Sequence, residues 1–318
     1  MDVRGEGPPE RLCDTVYQGL SSTPKTLPPR LFYDHAGSEL FEAITDLNEY
    51  YPTRTEAAIL ERHAAEIVAR TGDRVTMLEF GSGSSRKTRL LIEAALERQS
   101  DLEYVPIDIS RVFLRESSEA LLTEYPGLRV TALAGEYFDT ALAMPPAEEP
   151  RLILFLGSNI GNLSHNDAIK FLSRVRRGMK PSDRLLVGTD LVKDTATLEA
   201  AYDDAQGVTA RFNLNLLSRI NRELGGDFDL ANFRHAAPWD AERSRIEMRL
   251  VSLRKQRVRI DELDTEFSFD EGEAIVTEWS QKYTDASFAA LCAPAGLKVV
   301  DRWTDDREWF AEWMLAPA

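Results

Sequence analysis

Met77-Leu-Glu-Phe-Gly-Ser-Gly-Ser-Ser-Arg-Lys-Thr88 decides how this chain folds. Its first part is apolar, as a strand buried on both faces requires, and Thr88 to Arg98 then has helical spacing. Gly81 and Gly83 permit a tight turn between strand and helix and let a ligand approach the backbone closely. A second strand, Leu102 to Ile107, ends about 25 residues further on at Asp108, whose carboxylate can accept hydrogen bonds from ribose hydroxyls. Strand, glycine turn, helix and a following acid together suit an adenosyl group.

Rival uses of such a turn fail at one position. A nicotinamide enzyme needs a third glycine in G-x-G-x-x-G, and this chain has Arg86 there. Gly81 to Thr88 nearly matches the P-loop pattern, but Arg86 again replaces a glycine and would crowd the phosphate cradle. The later apolar strand, Leu152 to Leu156, also runs into Gly157-Ser158 rather than a Mg²⁺-binding aspartate. A plain strand-to-helix turn is the bland alternative, and Asp108 weighs against it. Lys87 stays open at this point, as either a solvated helix-start residue or a contact for a ligand carboxylate.

Around this stretch, strands and helices alternate. Val75 to Phe80, Leu102 to Ile107, Leu128 to Ala134, Arg151 to Leu156 and Asp183 to Val187 read as strands. Helical patterns at Thr88 to Arg98, Val112 to Tyr125 and Asn166 to Met179 separate them, and an amphipathic helix, Thr55 to Ala69, precedes them. The expected fold is α/β, a Rossmann-like doubly wound sheet. After Lys193 the rhythm changes. Leu198 to Asn221 is largely helical, and Gly225-Gly226 breaks it. Arg243 to Arg257, Glu262 to Phe269 and Glu273 to Ser280 then have strand character. These segments predict a smaller, discontinuous α+β substrate-recognition domain from 11–55 and 194–281, set against a sheet domain from 56–193 and 282–318. Residues 1–10 are polar and rich in Gly and Pro, and read as a disordered lead.

Bulk properties narrow the function. The formal net charge of -15 over 318 residues argues against a general nucleic-acid binder, which needs a basic surface. The two cysteines, Cys13 and Cys292, lie far apart, so a disulfide framework is not expected and a reduced cytoplasmic setting fits. No apolar run reaches membrane-spanning length, so no membrane partner is expected. His35, His63, His165 and His235 show no metal-ligand spacing; no metal is expected, and each reads as a surface or turn residue.

Longer motifs carry a resemblance. Leu31-Phe-Tyr-Asp-His-Ala-Gly-Ser-Glu-Leu-Phe41, Glu49-Tyr-Tyr-Pro-Thr-Arg-Thr-Glu56, Phe155-Leu-Gly-Ser-Asn-Ile-Gly-Asn-Leu163 and Gly188-Thr-Asp-Leu-Val-Lys-Asp194 are similar to the L-histidine Nα-methyltransferases of ergothioneine biosynthesis. Phe212-Asn213, Asn221-Arg-Glu-Leu224, Arg245-Ile-Glu-Met248 and Thr277-Glu-Trp-Ser280 extend the likeness over almost the whole chain after Leu12. The resemblance implies S-adenosyl-L-methionine as cofactor and three methyl transfers to the α-amino group of L-histidine, giving hercynine. It implies cofactor contacts at Tyr50, Gly81, Lys87, Asp108 and the pair Glu136-Tyr137, where the family more often has Asp-Phe. It implies that the substrate's carboxylate and amine meet Asn162, Tyr202, Tyr50 and Tyr33, near Gly157, and that its imidazole meets Glu278 and Ser280 with Met248 and Phe41 close by.

The residue types suit that chemistry. Glu278 and Ser280 are two apart on a strand, so both side chains leave one face. A carboxylate and a hydroxyl there can pair with the two imidazole nitrogens and reject purely apolar amino acids. The amine must lose a proton before it attacks, and Tyr33, or a water near Asn162, is the expected relay. Tyr33, Phe41 and Tyr50 either face the cationic product or form an apolar seam. The alternatives are a methyltransferase for another amino acid, such as tryptophan, or a non-catalytic adenosyl-ligand sensor. Histidine is expected to bind between the two domains of a monomer.

Overall fold

The computed structural model describes residues 12–135, 144–145 and 147–318; the lead at 1–10 and the Glu136-Tyr137 pair lie outside the described residues. The described chain divides into two compact units. One comprises Pro52–Val192 and Lys282–Ala318, the other the residues up to Tyr51 with Lys193–Gln281.

The first unit is built on one sheet. Across it run Leu297–Thr304, Phe310–Pro317, Arg184–Asp190, Arg151–Phe155, Thr76–Phe80, Leu102–Asp108 and Leu128–Val130. From Arg184–Asp190 to Leu128–Val130 the pairing is parallel, and the C-terminal hairpin adds two antiparallel strands. Thr76–Phe80 and Arg151–Phe155 are buried at every position because apolar layers cover both faces. Alternation along each strand sorts the side chains. Leu78, Phe80, Ile153, Phe155 and Val187 enter one core, and Met77, Tyr104, Leu152, Leu154 and Leu186 the other. Strand order reverses between Thr76–Phe80 and Arg151–Phe155, which makes the carboxyl ends of these neighbours the switch point where such sheets bind ligands.

The second unit carries a smaller sheet ordered Lys25–Thr26, Ala274–Gln281, Arg245–Ser252 and Phe233–Ala236, with a separate hairpin of Gln256–Ile260 and Thr265–Phe269. Helix His35–Thr45 is started by Asp34, whose Oδ1 accepts from the Gly37 N–H at 2.7 Å. A Cβ on Gly37 would lie 1.8 Å from the Phe32 carbonyl oxygen, so this turn requires glycine. Asp34 also receives Asn215 Nδ2 (2.9 Å) and Arg222 Nη2 (2.6 Å) from helix Val208–Leu224.

Several boundaries differ from those expected. The helix drawn from Leu198 to Asn221 is two, Thr195–Tyr202 and Val208–Leu224, because Asp204 accepts the Val208 and Thr209 N–H groups (3.0 and 2.7 Å) and starts a new helix. The strand drawn from Arg243 to Arg257 breaks after Ser252, and the one from Glu262 begins at Thr265, after a 3-10 turn over Asp261–Leu263. Helix Tyr51–Thr71 starts four residues before Thr55, with Pro52 in its first turn, where a missing N–H costs nothing. Leu128 to Ala134 is two short strands, and the C-terminal hairpin is additional. No described helix is long and apolar enough to cross a membrane.

Candidate active site

At the switch point of the first unit, the backbone leaves Phe80 through Gly81 (φ 72°) and Gly83 (φ 50°). The Gly81 and Ser82 amides donate to the Ile107 carbonyl (2.8 and 3.1 Å), tying the loop to the neighbouring strand. The Gly83 N–H donates to Asp108 Oδ2 at 3.0 Å, and the Ser110 N–H to Oδ1 at 2.9 Å. Asp108 therefore organises the loop, and its carboxylate keeps further lone pairs for ligand hydroxyls. Burial pushes its pKa up, against the backbone hydrogen bonds that lower it. Among the described residues, a Cβ on Gly83 would meet nothing within 4 Å, so the loop borders open space, and the buried Ser82 hydroxyl has no hydrogen-bond partner. Such a cradle fits an adenosyl ligand.

Lys87 points inward. Its ammonium pairs with Glu56, whose side chain is fully buried in helix Tyr51–Thr71, and Glu56 Oε1 also accepts the Gly157 N–H at 2.6 Å. Gly157 and Ser158 both have left-handed backbone (φ 75° and 58°), so the chain turns sharply as it leaves Arg151–Phe155. Asn162 ends the short helical turn that follows. Glu312 is fully buried near Glu56, and among the described residues neither of its oxygens has a hydrogen-bond donor. Burial, then the charge of Glu56, push its pKa well up, which favours the neutral acid and a single negative charge opposite Lys87. Gly188 makes room for this pair, since a Cβ there would sit 2.3 Å from Glu56 Oε1 and 3.0 Å from Glu312 Oε1. Beneath the glycine loop, buried Glu79 accepts from the hydroxyls of Thr88 and Tyr104, and burial pushes its pKa up to about 7.

The second unit carries the expected amino-acid contacts other than Gly157 and Asn162. Tyr33, Phe41 and Tyr50 meet edge to face in sequence (5.8 and 6.4 Å), Phe212 joins them, and Tyr50 continues to Tyr202 (6.1 Å). The Tyr202 hydroxyl and Ser280 Oγ are 2.7 Å apart. Ser280 lies in strand Ala274–Gln281 two residues after Glu278, and Glu278 stands opposite Met248 in the register. Tyr33, Phe41, Tyr50 and Tyr202 thus form one aromatic row, and Tyr202 joins it to the strand that carries Ser280 and Glu278.

Gly81, Lys87, Asp108, Gly157 and Asn162 belong to the first unit, and Tyr33, Phe41, Tyr50, Tyr202, Met248, Glu278 and Ser280 to the second. The solvated reading of Lys87 is overturned by its pairing with Glu56. The reading of His235 as a surface or turn residue is also overturned: it lies in strand Phe233–Ala236 with a 2% exposed side chain. Glu56 and Glu312 were not singled out, yet each carries a signal. Glu56 sits four residues before Leu60, on the apolar stripe of its helix, and Glu312 interrupts the apolar run Phe310 to Leu315.

Comparison with known proteins identifies the family. A family profile described as "Histidine-specific methyltransferase, SAM-dependent" matches residues 12–317. A "Histidine N-alpha-methyltransferase" from Mycolicibacterium smegmatis is 47% identical over 93% of this chain and 92% of its own length. One of the same name from Mycobacterium tuberculosis is 47% identical over 92% of this chain and 90% of its own length. "Ergothioneine biosynthesis protein 1" from Neurospora crassa is 32% identical over 90% of this chain, which spans 32% of that protein. The chain belongs to the histidine-specific, S-adenosylmethionine-dependent methyltransferase family.

Proposed function

We propose that this chain trimethylates the α-amino group of L-histidine to hercynine, using S-adenosylmethionine, as a step of ergothioneine biosynthesis. The observation that carries the acceptor assignment is the Tyr202–Ser280 hydroxyl pair, two residues along one strand from Glu278. The names of its relatives support the same acceptor and the same pathway. On the cofactor side, the open cradle at Gly83, the Asp108 carboxylate and the Lys87 ammonium suit a ribose and a methionyl carboxylate, with Gly81 at the turn. Glu136 and Tyr137 are assigned to the adenine.

When bound, S-adenosylmethionine supplies a sulfonium methyl group to an in-line amine. The residues of the chain then have four tasks. Glu278 accepts one imidazole N–H while Ser280, steadied by Tyr202, faces the other nitrogen, beside Met248. Asn162 offers an amide donor to the substrate carboxylate. Tyr33, Phe41 and Tyr50 present aromatic faces and edges to an amine that ends as a quaternary ammonium. An α-ammonium is largely protonated near neutrality, so one proton leaves before each of the three transfers. Tyr33 is assigned as its relay; Tyr33→Phe with undiminished kcat would remove it from that role.

The deciding experiment is mass spectrometry of histidine incubated with the protein and S-adenosylmethionine. Products with one, two and three added methyl groups are expected, the last accumulating. Methylation of tryptophan with none of histidine would refute the acceptor assignment.

A further inference from the structure

We infer that His235 is a positioning residue that holds Tyr202 in place for the methyl acceptor, an inference that rests on Tyr202 contacting that acceptor. His235 lies in strand Phe233–Ala236, opposite Leu250, in the second unit. Its imidazole is buried, with Nε2 2.7 Å from the Tyr202 carbonyl oxygen and Nδ1 2.8 Å from Asn213 Nδ2. The partners dictate the tautomer. A carbonyl only accepts, so Nε2 carries the hydrogen. Asn213 Nδ2 also donates to the Arg249 carbonyl at 3.1 Å, which orients the amide and leaves Nδ1 of the histidine as acceptor. The chain of donation runs from fully buried Asn213 to His235 to Tyr202, anchored on the strand that bears Met248.

Tyr202 needs such an anchor. It is the last residue of helix Thr195–Tyr202, where carbonyl groups lack helical partners. The chain turns at Asp203, and Asp204 then starts the next helix. His235 satisfies the Tyr202 carbonyl while the hydroxyl at the other end of the residue meets Ser280. The residue is thereby fixed from both ends, and with it the orientation of the Ser280 hydroxyl. Burial lowers the pKa of His235, so the ring is neutral and its Nδ1 remains an acceptor.

The test measures histidine affinity in the presence of S-adenosylhomocysteine, and steady-state kinetics, for Tyr202→Phe, His235→Leu and His235→Gln. His235→Leu removes the donor, whereas the glutamine amide can still reach the Tyr202 carbonyl. His235→Leu is expected to raise KM for histidine about tenfold or more, with S-adenosylhomocysteine affinity unchanged and a smaller effect on kcat. His235→Gln is expected to recover most of that loss. If Tyr202→Phe leaves histidine affinity unchanged, the assignment of Tyr202 fails and this inference with it. If Tyr202→Phe weakens histidine binding but His235→Leu does not, the inference alone fails. Equal damage by Leu and Gln, or a parallel loss of S-adenosylhomocysteine binding, would mark a general structural role and overturn it as well.

Discussion

Asp108→Asn isolates the element that shapes the cofactor loop. In the native protein, the two carboxylate oxygens accept from the Gly83 N–H at 3.0 Å and the Ser110 N–H at 2.9 Å. An asparagine must turn its NH₂ toward one of these two donors, whichever way the amide is flipped. One accepted hydrogen bond then becomes donor against donor, while side-chain volume hardly changes. A hydrogen bond to a charged acceptor contributes about 1.5–3 kcal/mol, so S-adenosylhomocysteine is expected to bind about 10- to 150-fold more weakly. Calorimetric titration near neutral pH measures this directly. The wild-type protein can be driven to the same state by acid. Burial holds the Asp108 pKa above its ordinary value of 3.8, so affinity falls as pH drops through that raised value, and the asparagine variant lacks this limb. A variant binding within about twofold of wild type, or keeping the acid limb, would refute the role given to Asp108.

Three further outcomes follow from the geometry. Glu278→Gln removes a charged acceptor from the proposed imidazole contact and is expected to weaken histidine binding about 10- to 150-fold; calorimetry should find S-adenosylhomocysteine affinity unchanged. Gly188→Ala places a Cβ 2.3 Å from the Glu56 carboxylate, which is pinned by Lys87 and the Gly157 N–H. It should cost about 1–3 kcal/mol in urea unfolding and weaken S-adenosylhomocysteine binding; a variant as stable as wild type would mean the carboxylate moves freely. Lys282→Met removes the ammonium that lies 2.8 Å from the fully buried Asp190 carboxylate, at about 3–5 kcal/mol. Adding Asp190→Leu should restore much of that loss, and a single variant with undiminished stability would contradict the pairing.

Most of the sheet was legible because its strands are short apolar runs closed by turn residues. Gly81, Asp108 and the reversal of strand order are consequences of that pattern, so sequence spacing brought them to one place. The boundaries that sequence missed are set by single side chains acting across gaps in the pattern. Asp204 divides a helix whose apolar periodicity runs on past it, and nothing in the periodicity announces a carboxylate accepting two backbone N–H groups. The C-terminal strands escaped notice for another reason. Leu297–Thr304 mixes charged and apolar residues at the sheet edge, where one side is left unpaired. The motif around Tyr33 reads from sequence as a set of ligand contacts, but Asp34 and Gly37 within it serve as a helix cap and a close backbone approach. Lys87 was undecided because its partner, Glu56, is remote in sequence and looks like one more acid on an amphipathic helix.

The buried acid Glu312 determines the sign of the charge that Lys87 presents. With Glu312 neutral, Glu56 alone opposes the Lys87 ammonium, and the group is balanced; an ionised Glu312 would make it net negative and repel a ligand carboxylate. Holding that proton has a thermodynamic signature. The folded state keeps it at pH values where the unfolded chain, with an ordinary glutamate pKa of 4.5, has lost it, so stability falls as pH rises. Glu79 contributes a slope of the same sign, but only until it titrates at about 7. The buried Cys292 thiol adds its own only above its ordinary value of 9.0. Glu312 adds its slope from the ordinary glutamate value upward until its own raised value is reached, at up to about 1.4 kcal/mol per pH unit for a single proton. Glu312→Gln is a neutral isostere of the acid, and urea unfolding as a function of pH should find its stability declining less steeply than that of the wild type. An unaltered decline in the variant would show that Glu312 carries no such proton, and that the charge facing Lys87 is set some other way.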